Sequence, residues 1–375
     1  MAGPLEGLKL IEMAGIGPCP LAGQLMADLG AEVIVIDRKS GGDRPGDVNN
    51  RNKKSVALNL KTPEGVEAAL ALIASADALI EGFRPGVMER MGLGPDVCLE
   101  KNPGLVFGRM TGWGQEGPWS QMAGHDLNYV SLTGALGMMG KKGQEPTPPL
   151  NLVADYGGGT MFLVFGVLSA LWERSRSGKG QVVDTAMIDG VAAMTGIFRN
   201  LMAAGRWDAE RESNMLDGGA PFYRCYETSD GKHVSIGSIE GKFYAELKEK
   251  LGMAPDAMPE QMNPAKWDEY RAEIAAVIAT KTRDEWCDVM EGSDVCFAPV
   301  LDMDEAPAHP HNVARETFIE VEGVTQPNAA PRFSGTPAGK PTVAPDPGHD
   351  TDEALSDWGF DADEVARLRA SGAVS

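Results

Sequence analysis

The chain has 375 residues, 34 of them basic and 54 acidic, for a net charge of −20. Apolar residues at 43% and charged residues at 23% are the balance of a globular protein, which excludes a disordered or fibrous chain. So acidic a chain is repelled by nucleic acids and anionic bilayers, and an anionic ligand needs a local basic cluster instead.

The length suggests two or three folding units. Five cysteines are dispersed, with no CxxC pair and no Cys/His cluster. That pattern excludes a zinc ribbon or disulfide scaffold and suits reduced thiols in a cytoplasmic protein. The opening MAGPLEGLKLIE lacks the basic segment and apolar core of a signal peptide. The most apolar stretch, Tyr156 to Trp172, is shorter than the ~20 residues of a membrane span and opens on three glycines. It reads as a buried helix.

In chain order, Leu8 to Glu12 predicts a short strand, and Leu21 to Gly30 a helix ended by glycine. Ala31 to Asp37 (AEVIVID) is a continuous apolar run, as in a strand covered on both faces. A polar loop, Arg38 to Lys54, follows. Thr62-Pro63-Glu64 starts a helix whose Val66, Ala69, Leu70 and Ile73 share one face. Ala78 to Ile80 and Leu105 to Arg109 return as strands. This alternation predicts an α/β, Rossmann-like large domain with a mostly parallel sheet.

From about residue 215 the pattern changes. Phe222 to Glu227 and His233 to Gly237 predict a hairpin across Ser229 to Lys232. Helices follow at Lys242 to Leu251, Trp267 to Thr280 and Arg283 to Met290, giving a smaller α+β domain over 215–320. Residues 326–348 read as an extended strap and Ala362 to Leu368 as a last helix. The large domain therefore takes residues 1–200 and is completed by 325–375.

Gly15-Ile16-Gly17 after the first strand, with Asp37 ending the second, approaches a dinucleotide fingerprint. Pro20 occupies the third glycine position and Pro18 removes a backbone donor, so a nicotinamide cofactor is not expected. Arg38, Arg44, Arg51, Lys53, Lys54, Lys61 and Arg84 gather in this otherwise acidic protein. Lys53-Lys54 reads as a solvated charge run. Arg38 and Arg84 follow predicted strands, where guanidinium forks can hold phosphates.

Two segments carry chemistry. Gly124-His125-Asp126-Leu127 places a histidine before an apolar-rich segment. Asn151 to Asp155 brings a carboxylate to Gly157-Gly158-Gly159. Each has an ordinary reading, a structural histidine and a helix cap. A histidine and a carboxylate on opposite sides of one carbon also suit proton exchange at a stereocentre. Histidine, with a reference pKa of about 6.5, serves as acid or base. A thioester makes such a proton removable, and its enolate oxygen needs preorganised donors.

At GHDLNY (Gly124 to Tyr129) and NLVADYGGG (Asn151 to Gly159), the chain resembles the racemase branch of the family III CoA-transferase superfamily, which acts on α-methylacyl-CoA. The resemblance continues through Met26 to Ile34, Ile36 to Arg38, Arg51 to Lys61, Phe83 to Pro95 and Arg109 to Pro118. Further matches are Ser177 to Met187, Leu216 to Thr228 and Cys296 to Arg315.

The resemblance implies the family III CoA-transferase fold in an interlocked homodimer. It implies an acyl-CoA substrate in fatty acid metabolism, with no metal and no cofactor beyond the CoA of the substrate. It assigns the catalytic pair to His125 and Asp155. Glu240 would support the histidine from the other subunit, Asn151 would support the aspartate, and the Asp126 backbone N–H would hold the enolate oxygen. CoA contacts carry over to Arg38, Leu58, Asn59, Leu60, Lys61, Arg84, Gly124 and Tyr129. The expected reaction interconverts (2R)- and (2S)-2-methylacyl-CoA. The alternative is CoA transfer between carboxylic acids through an aspartyl-CoA intermediate on Asp155. Histidine at position 125 favours racemisation. Methionines 138, 139, 187, 194 and 215 could form a flexible surface for varied acyl chains.

Overall fold

In the computed structural model, which describes residues 3–38 and 46–374, the first half alternates strand and helix. Arg44 of the basic loop lies outside the described residues. The elements are β1 (Lys9–Met13), α1 (Pro18–Asp28), β2 (Glu32–Asp37), β3 (Lys54–Ala57), α2 (Pro63–Ala74), β4 (Ala78–Glu81), α3 (Val87–Arg90), α4 (Pro95–Lys101) and β5 (Val106–Thr111). They continue with α5 (Asp126–Leu132), a π-helical segment (Leu152–Thr160), α6 (Met161–Ser177), β6 (Gln181–Ala186) and α7 (Met187–Met194). α1 starts three residues earlier than predicted because Pro18 and Pro20 fit a first turn, where a missing N–H costs nothing. Thr62 caps α2 as expected, accepting the Gly65 N–H at 3.1 Å.

The six strands form one sheet in the order β3-β2-β1-β4-β5-β6, with every pairing parallel. The order reverses between β1 and β4, which opens a crevice at their carboxyl ends. Ile11, Ile34, Val56, Leu79 and Phe107 of the strands pack against Ala69, Leu72 and Ile73 of α2 in one core.

Two readings of the charged segment are corrected. Lys53 is no surface charge: its buried Nζ donates to Glu12 at 2.7 Å and to the Pro20 carbonyl at 2.9 Å. Arg51 is buried and forks onto Asp28 through Nε at 3.0 Å and Nη2 at 2.6 Å. Its Nη1 reaches Gln326 at 2.6 Å. Lys54 pairs with Asp357 at 2.6 Å. These three cations are taken up by the fold.

The apolar helix is also longer and more open than expected. The run from Leu152 to Ser177 is helical over 26 residues, long and apolar enough to cross a bilayer by length and composition. One stripe, Leu163, Val167 and Ala170, is buried, and Gly108 on β5 lets Leu163 and Val167 lie close to the strand. The opposite stripe of Met161, Phe165 and Trp172 is exposed.

The chain divides into two compact units. The first holds residues up to 133, 150–194 and 313 onward, and the second holds 134–149 and 195–312. The second contains α8 (Gly196–Ala203), an antiparallel sheet in the order β7 (Tyr223–Glu227), β8 (His233–Gly237), β9 (Phe297–Val300), and helices α9 (Gly241–Lys250), α10 (Trp267–Ile278) and α11 (Arg283–Met290). Val234 and Ile236 face a core with Phe222, Trp267, Ile274 and Trp286, while His233 and Ser235 alternate outward. α12 (Pro310–Ala314) spans the boundary. Back in the first unit come a hairpin of β10 (Phe318–Val321) and β11 (Val324–Pro327), then α13 (Thr351–Asp357) and α14 (Ala362–Ala370). This return closes the free edge of β3. Asp350 Oδ2 accepts the Ser55 N–H at 2.8 Å, Thr351 Oγ1 accepts the Ala57 N–H at 3.1 Å, and Leu58 bridges to Val374.

Candidate active site

The crevice between β1 and β4 holds a cavity of about 310 Å³. The turn after β1 contributes Ile16, Gly17 and Pro18, and the turn after β4 contributes Gly82 to Pro85. Gly112 and Trp113 come from the end of β5, Gly124, His125 and Tyr129 from the start of α5, and Asp155 from the π segment. The sequence-predicted Arg84, Gly124, His125, Tyr129 and Asp155 are therefore brought to one wall-to-wall cavity.

His125 is the exposed residue preceding α5. Its N–H donates to Asn128 Oδ1 at 3.0 Å, and its carbonyl accepts the Asn128 N–H at 2.8 Å, which sets the start of the helix. The N–H of Asp126, first in α5, has no acceptor within the helix. The Asp126 side chain, only 5% exposed, turns inward: its Oδ2 accepts the N–H of Ala154 at 2.7 Å and of Asp155 at 2.8 Å.

Asp155 is half-buried, beside the left-handed Gly17. Burial raises its carboxyl above the ordinary aspartate range, and the charge of Asp126 adds to the rise. A hydrogen bond from Asn151 at 3.5 Å and the field of His125 act in the opposite direction. The glycines after Asp155 admit a backbone. A Cβ on Gly158 would stand 2.8 Å from the Met187 carbonyl and the Val191 nitrogen, so α7 packs directly on the π segment there. Thr160 ties the same segment to α1 through the Pro18 carbonyl at 2.8 Å.

Tyr129 is held by ring packing. Its ring meets Trp113 edge-on at 4.7 Å, and a Cβ on Gly112 would overlap it. Burial raises its hydroxyl pKa, the charge of Asp155 adds to the rise, and Arg84 opposes it. The hydroxyl thus senses both charged groups of the cavity.

Sequence reasoning missed the charged layer beneath these loops. Glu81, fully buried at the end of β4, accepts the Phe83 N–H at 2.7 Å and the Arg109 Nε at 2.9 Å. Arg109 also holds Glu89 at 2.7 Å. Glu81 therefore clamps the turn that presents Arg84. The available signal was a lone acid ending an apolar strand. Trp113 was missed as well; its buried indole N–H has no acceptor among the described residues.

The other predicted CoA contacts lie outside this cavity. Arg38 is exposed where β2 ends, and Asn59 and Lys61 are exposed just after β3. Leu58 is buried, with its N–H on the Asp37 carbonyl, so its side chain belongs to the core. Asp37 is buried too and accepts the Ser55 hydroxyl at 2.6 Å, unlike the ribose-binding acid of a dinucleotide site. Glu240 is the exposed residue preceding α9 in the second unit. Among the described residues, no group of three or more His, Cys, Asp or Glu side chains is placed to hold a metal ion.

A parallel sheet that reverses its strand order, with a cavity of acid–base residues at the reversal, defines a doubly wound α/β enzyme. The CoA-transferase family III model matches residues 5–351, and the chain belongs to that family. It is 43% identical to the mouse (Mus musculus) alpha-methylacyl-CoA racemase, over 99% of this chain and 97% of that one. It is 31% identical to the succinyl-CoA–D-citramalate CoA-transferase of Chloroflexus aurantiacus, over 99% and 98%. Among solved structures, a CAIB/BAIF family protein from Brucella suis superposes with a TM-score of 0.80 at 26% identity, covering 96% of this chain and all of that one.

Proposed function

We propose that this protein is a racemase that interconverts (2R)- and (2S)-2-methylacyl-CoA thioesters by 1,1-proton transfer. The observation that carries the reading is His125 and Asp155 on one cavity, in a chain 43% identical to a racemase over nearly its whole length. One group takes the α-proton and the other returns a proton to the opposite face, and the roles exchange with substrate configuration. The enolate oxygen formed between the two steps is held by the Asp126 N–H. Burial moves the Asp155 carboxyl up from the ordinary aspartate range, toward that of its imidazole partner, which suits a pair that exchanges roles. Asn151 orients Asp155, and Glu240 of a second subunit supports His125.

Arg84, Arg38 and the Asn59–Lys61 segment follow β4, β2 and β3, all at the carboxyl edge of the sheet. Three strand spacings separate β3 from β4, roughly 14 Å, a span that an extended CoA crosses to bring its thioester over β1 and β4. Leu60 and Gly124 would line the same path. The exposed Met161, Phe165 and Trp172 stripe of α6 supports an interlocked homodimer, since so apolar a face is normally covered. Five free cysteines support a reducing compartment, the cytoplasm.

The test is NMR of a single-enantiomer 2-methylacyl-CoA with the protein in D2O. Deuterium entering the α-position with loss of enantiomeric purity is the expected result. No exchange, with appearance of a new acyl-CoA when a free carboxylic acid is added, would replace this reading with CoA transfer through Asp155.

A further inference from the structure

We infer that the Asp126 carboxylate is a positioning residue for the racemisation: a strut that fixes the spacing of the two proton-transfer groups by joining the start of α5 to the backbone of the π segment. The inference rests on the racemase reading above and concerns the Asp126 side chain, not its N–H.

His125 and Asp155 sit on separate elements, 30 positions apart in the chain. His125 is exposed, and the segment around Asp155 is π-helical and glycine-rich. π-turns leave a helix less tightly wound and recur at functional sites. Across this gap the Asp126 carboxylate accepts two consecutive N–H groups, those of Ala154 and Asp155, on a single oxygen. Charge-assisted bonds of 2.7 and 2.8 Å are the stronger kind. Asp126 is the residue after His125, and Asp155 is itself one of its donors. The strut therefore reaches both catalytic groups within one peptide unit of each.

The second oxygen of Asp126 is not satisfied. Oδ1 is buried with no hydrogen-bond partner among the described residues. A buried carboxylate with one oxygen left bare is costly, and a fold that needed only an acceptor would be served by a neutral amide. The retained charge acts on Asp155. The groups facing the Asp155 carboxyl are Asp126, His125 and Tyr129 of α5 and Asn151 upstream. α1 and α7 meet the segment through the apolar Pro18, Met187 and Val191. Asp189 of α7 is exposed, and its field falls on Asp184. Asp126 is thus the anion that adds to the rise burial gives the Asp155 carboxyl.

The experiment compares wild type, Asp126→Asn and Asp126→Ala, reading α-deuterium exchange, kcat and KM against pH, and CoA binding by calorimetry. In Asp126→Asn the amide oxygen still accepts both N–H groups while the charge is gone. Asp155 then loses the charge that adds to the effect of burial, so the acid limb of the kcat/KM profile moves to lower pH, and kcat near neutrality falls by about tenfold, less than the ~10²–10⁴-fold of losing an acid–base partner outright because Asp155 itself remains. In Asp126→Ala the strut is lost, and kcat falls by about 100-fold, as for a misplaced catalytic group. KM and CoA affinity stay within about threefold in both variants, an expectation that follows from a cost confined to the chemical step. Hydrogen exchange of residues 152–160 rises in the alanine variant only. An Asp126→Ala variant with wild-type kcat and unchanged hydrogen exchange at residues 152–160 would overturn the inference, and an Asp126→Asn profile that overlays wild type would overturn the part assigned to the charge. Absence of α-exchange in wild type itself would instead overturn the racemase reading, and the strut would have no proton transfer to serve.

Discussion

His125 and Asp155 are ordinary residues made chemical by their neighbours. The cavity gives the histidine an exposed ring beside a half-buried carboxyl, so removing the ring removes one of the two proton carriers. His125→Ala should abolish most α-proton exchange while leaving CoA affinity close to wild type, read by NMR and calorimetry. Gly112 acts by absence. An alanine there strikes the Tyr129 ring, which has Trp113 on another side and Gly124 closely packed against it. Gly112→Ala should therefore raise KM for acyl-CoA several-fold with a smaller change in kcat, an expectation that follows from Tyr129 lining the binding cavity. At this scale the motifs were legible because GHDLNY and NLVADYGGG carry their residue types in short runs. The burial of Arg51 and Lys53 was not legible. Their partners, Asp28 and Glu12, lie 23 and 41 positions upstream, and a basic run looks solvated until those carboxylates are folded beneath it.

Elements with a clear period were readable and those without one were not. α2 and α11 carry caps; α2 starts where Thr62-Pro63-Glu64 predicts, and α11 falls on its predicted bounds. β3 was hidden: four residues opening on Lys54 and Ser55, paired on one side only with β2 and closed on the other by Asp350 and Thr351. The π segment was hidden because a 3.6-residue period does not describe it and its three glycines blur any pattern. Its contact with α7 is sharply testable. Gly158→Ala sets a Cβ against the α7 backbone, so it should destabilise the first unit by about 1–3 kcal/mol and impair activity by moving Asp155. Thermal melts alongside α-exchange assays check both.

In the second unit, Arg283 Nη1 holds Glu305 at 2.6 Å. Arg283, together with Lys232 and the Asp302 N–H, keeps the Glu305 carboxyl well below the usual glutamate range. A depressed carboxyl pKa contributes stability above the unfolded value, about 4.3, and loses it as pH falls toward the folded value. The Tm deficit of Glu305→Gln should be full at pH 7 and shrink progressively below about pH 4.

For the whole molecule, the doubly wound order is what a run of strand–helix repeats leads one to expect, and the crevice at its reversal is where the reacting groups assemble. The buried Arg51 holds Asp28 of α1 and reaches Gln326 of β11, 275 positions further along the chain. Arg51→Met strands the Asp28 charge and should cost about 3–5 kcal/mol, measured by denaturant unfolding. The exposed α6 stripe belongs to this scale too. On the proposal of a homodimer that covers this stripe, Phe165→Asp with Trp172→Asp should lower the sedimentation coefficient toward that of a monomer, and an unchanged coefficient would remove the stripe from the interface.

The closure of β3 by Asp350, Thr351 and Val374 also orders events in time. Ser55 and Asp350 are separated by 295 positions. A ribosome adding about 5–20 residues per second needs roughly 15–60 s to bring them together. Through that interval the growing chain carries a bare parallel strand, and the second unit, encoded between the two, has all its own residues before the lock arrives. The later-made stretch around Asp350 is the lock on the earlier-made sheet, and a nascent-chain chaperone would find its target at the β3 edge until that lock arrives.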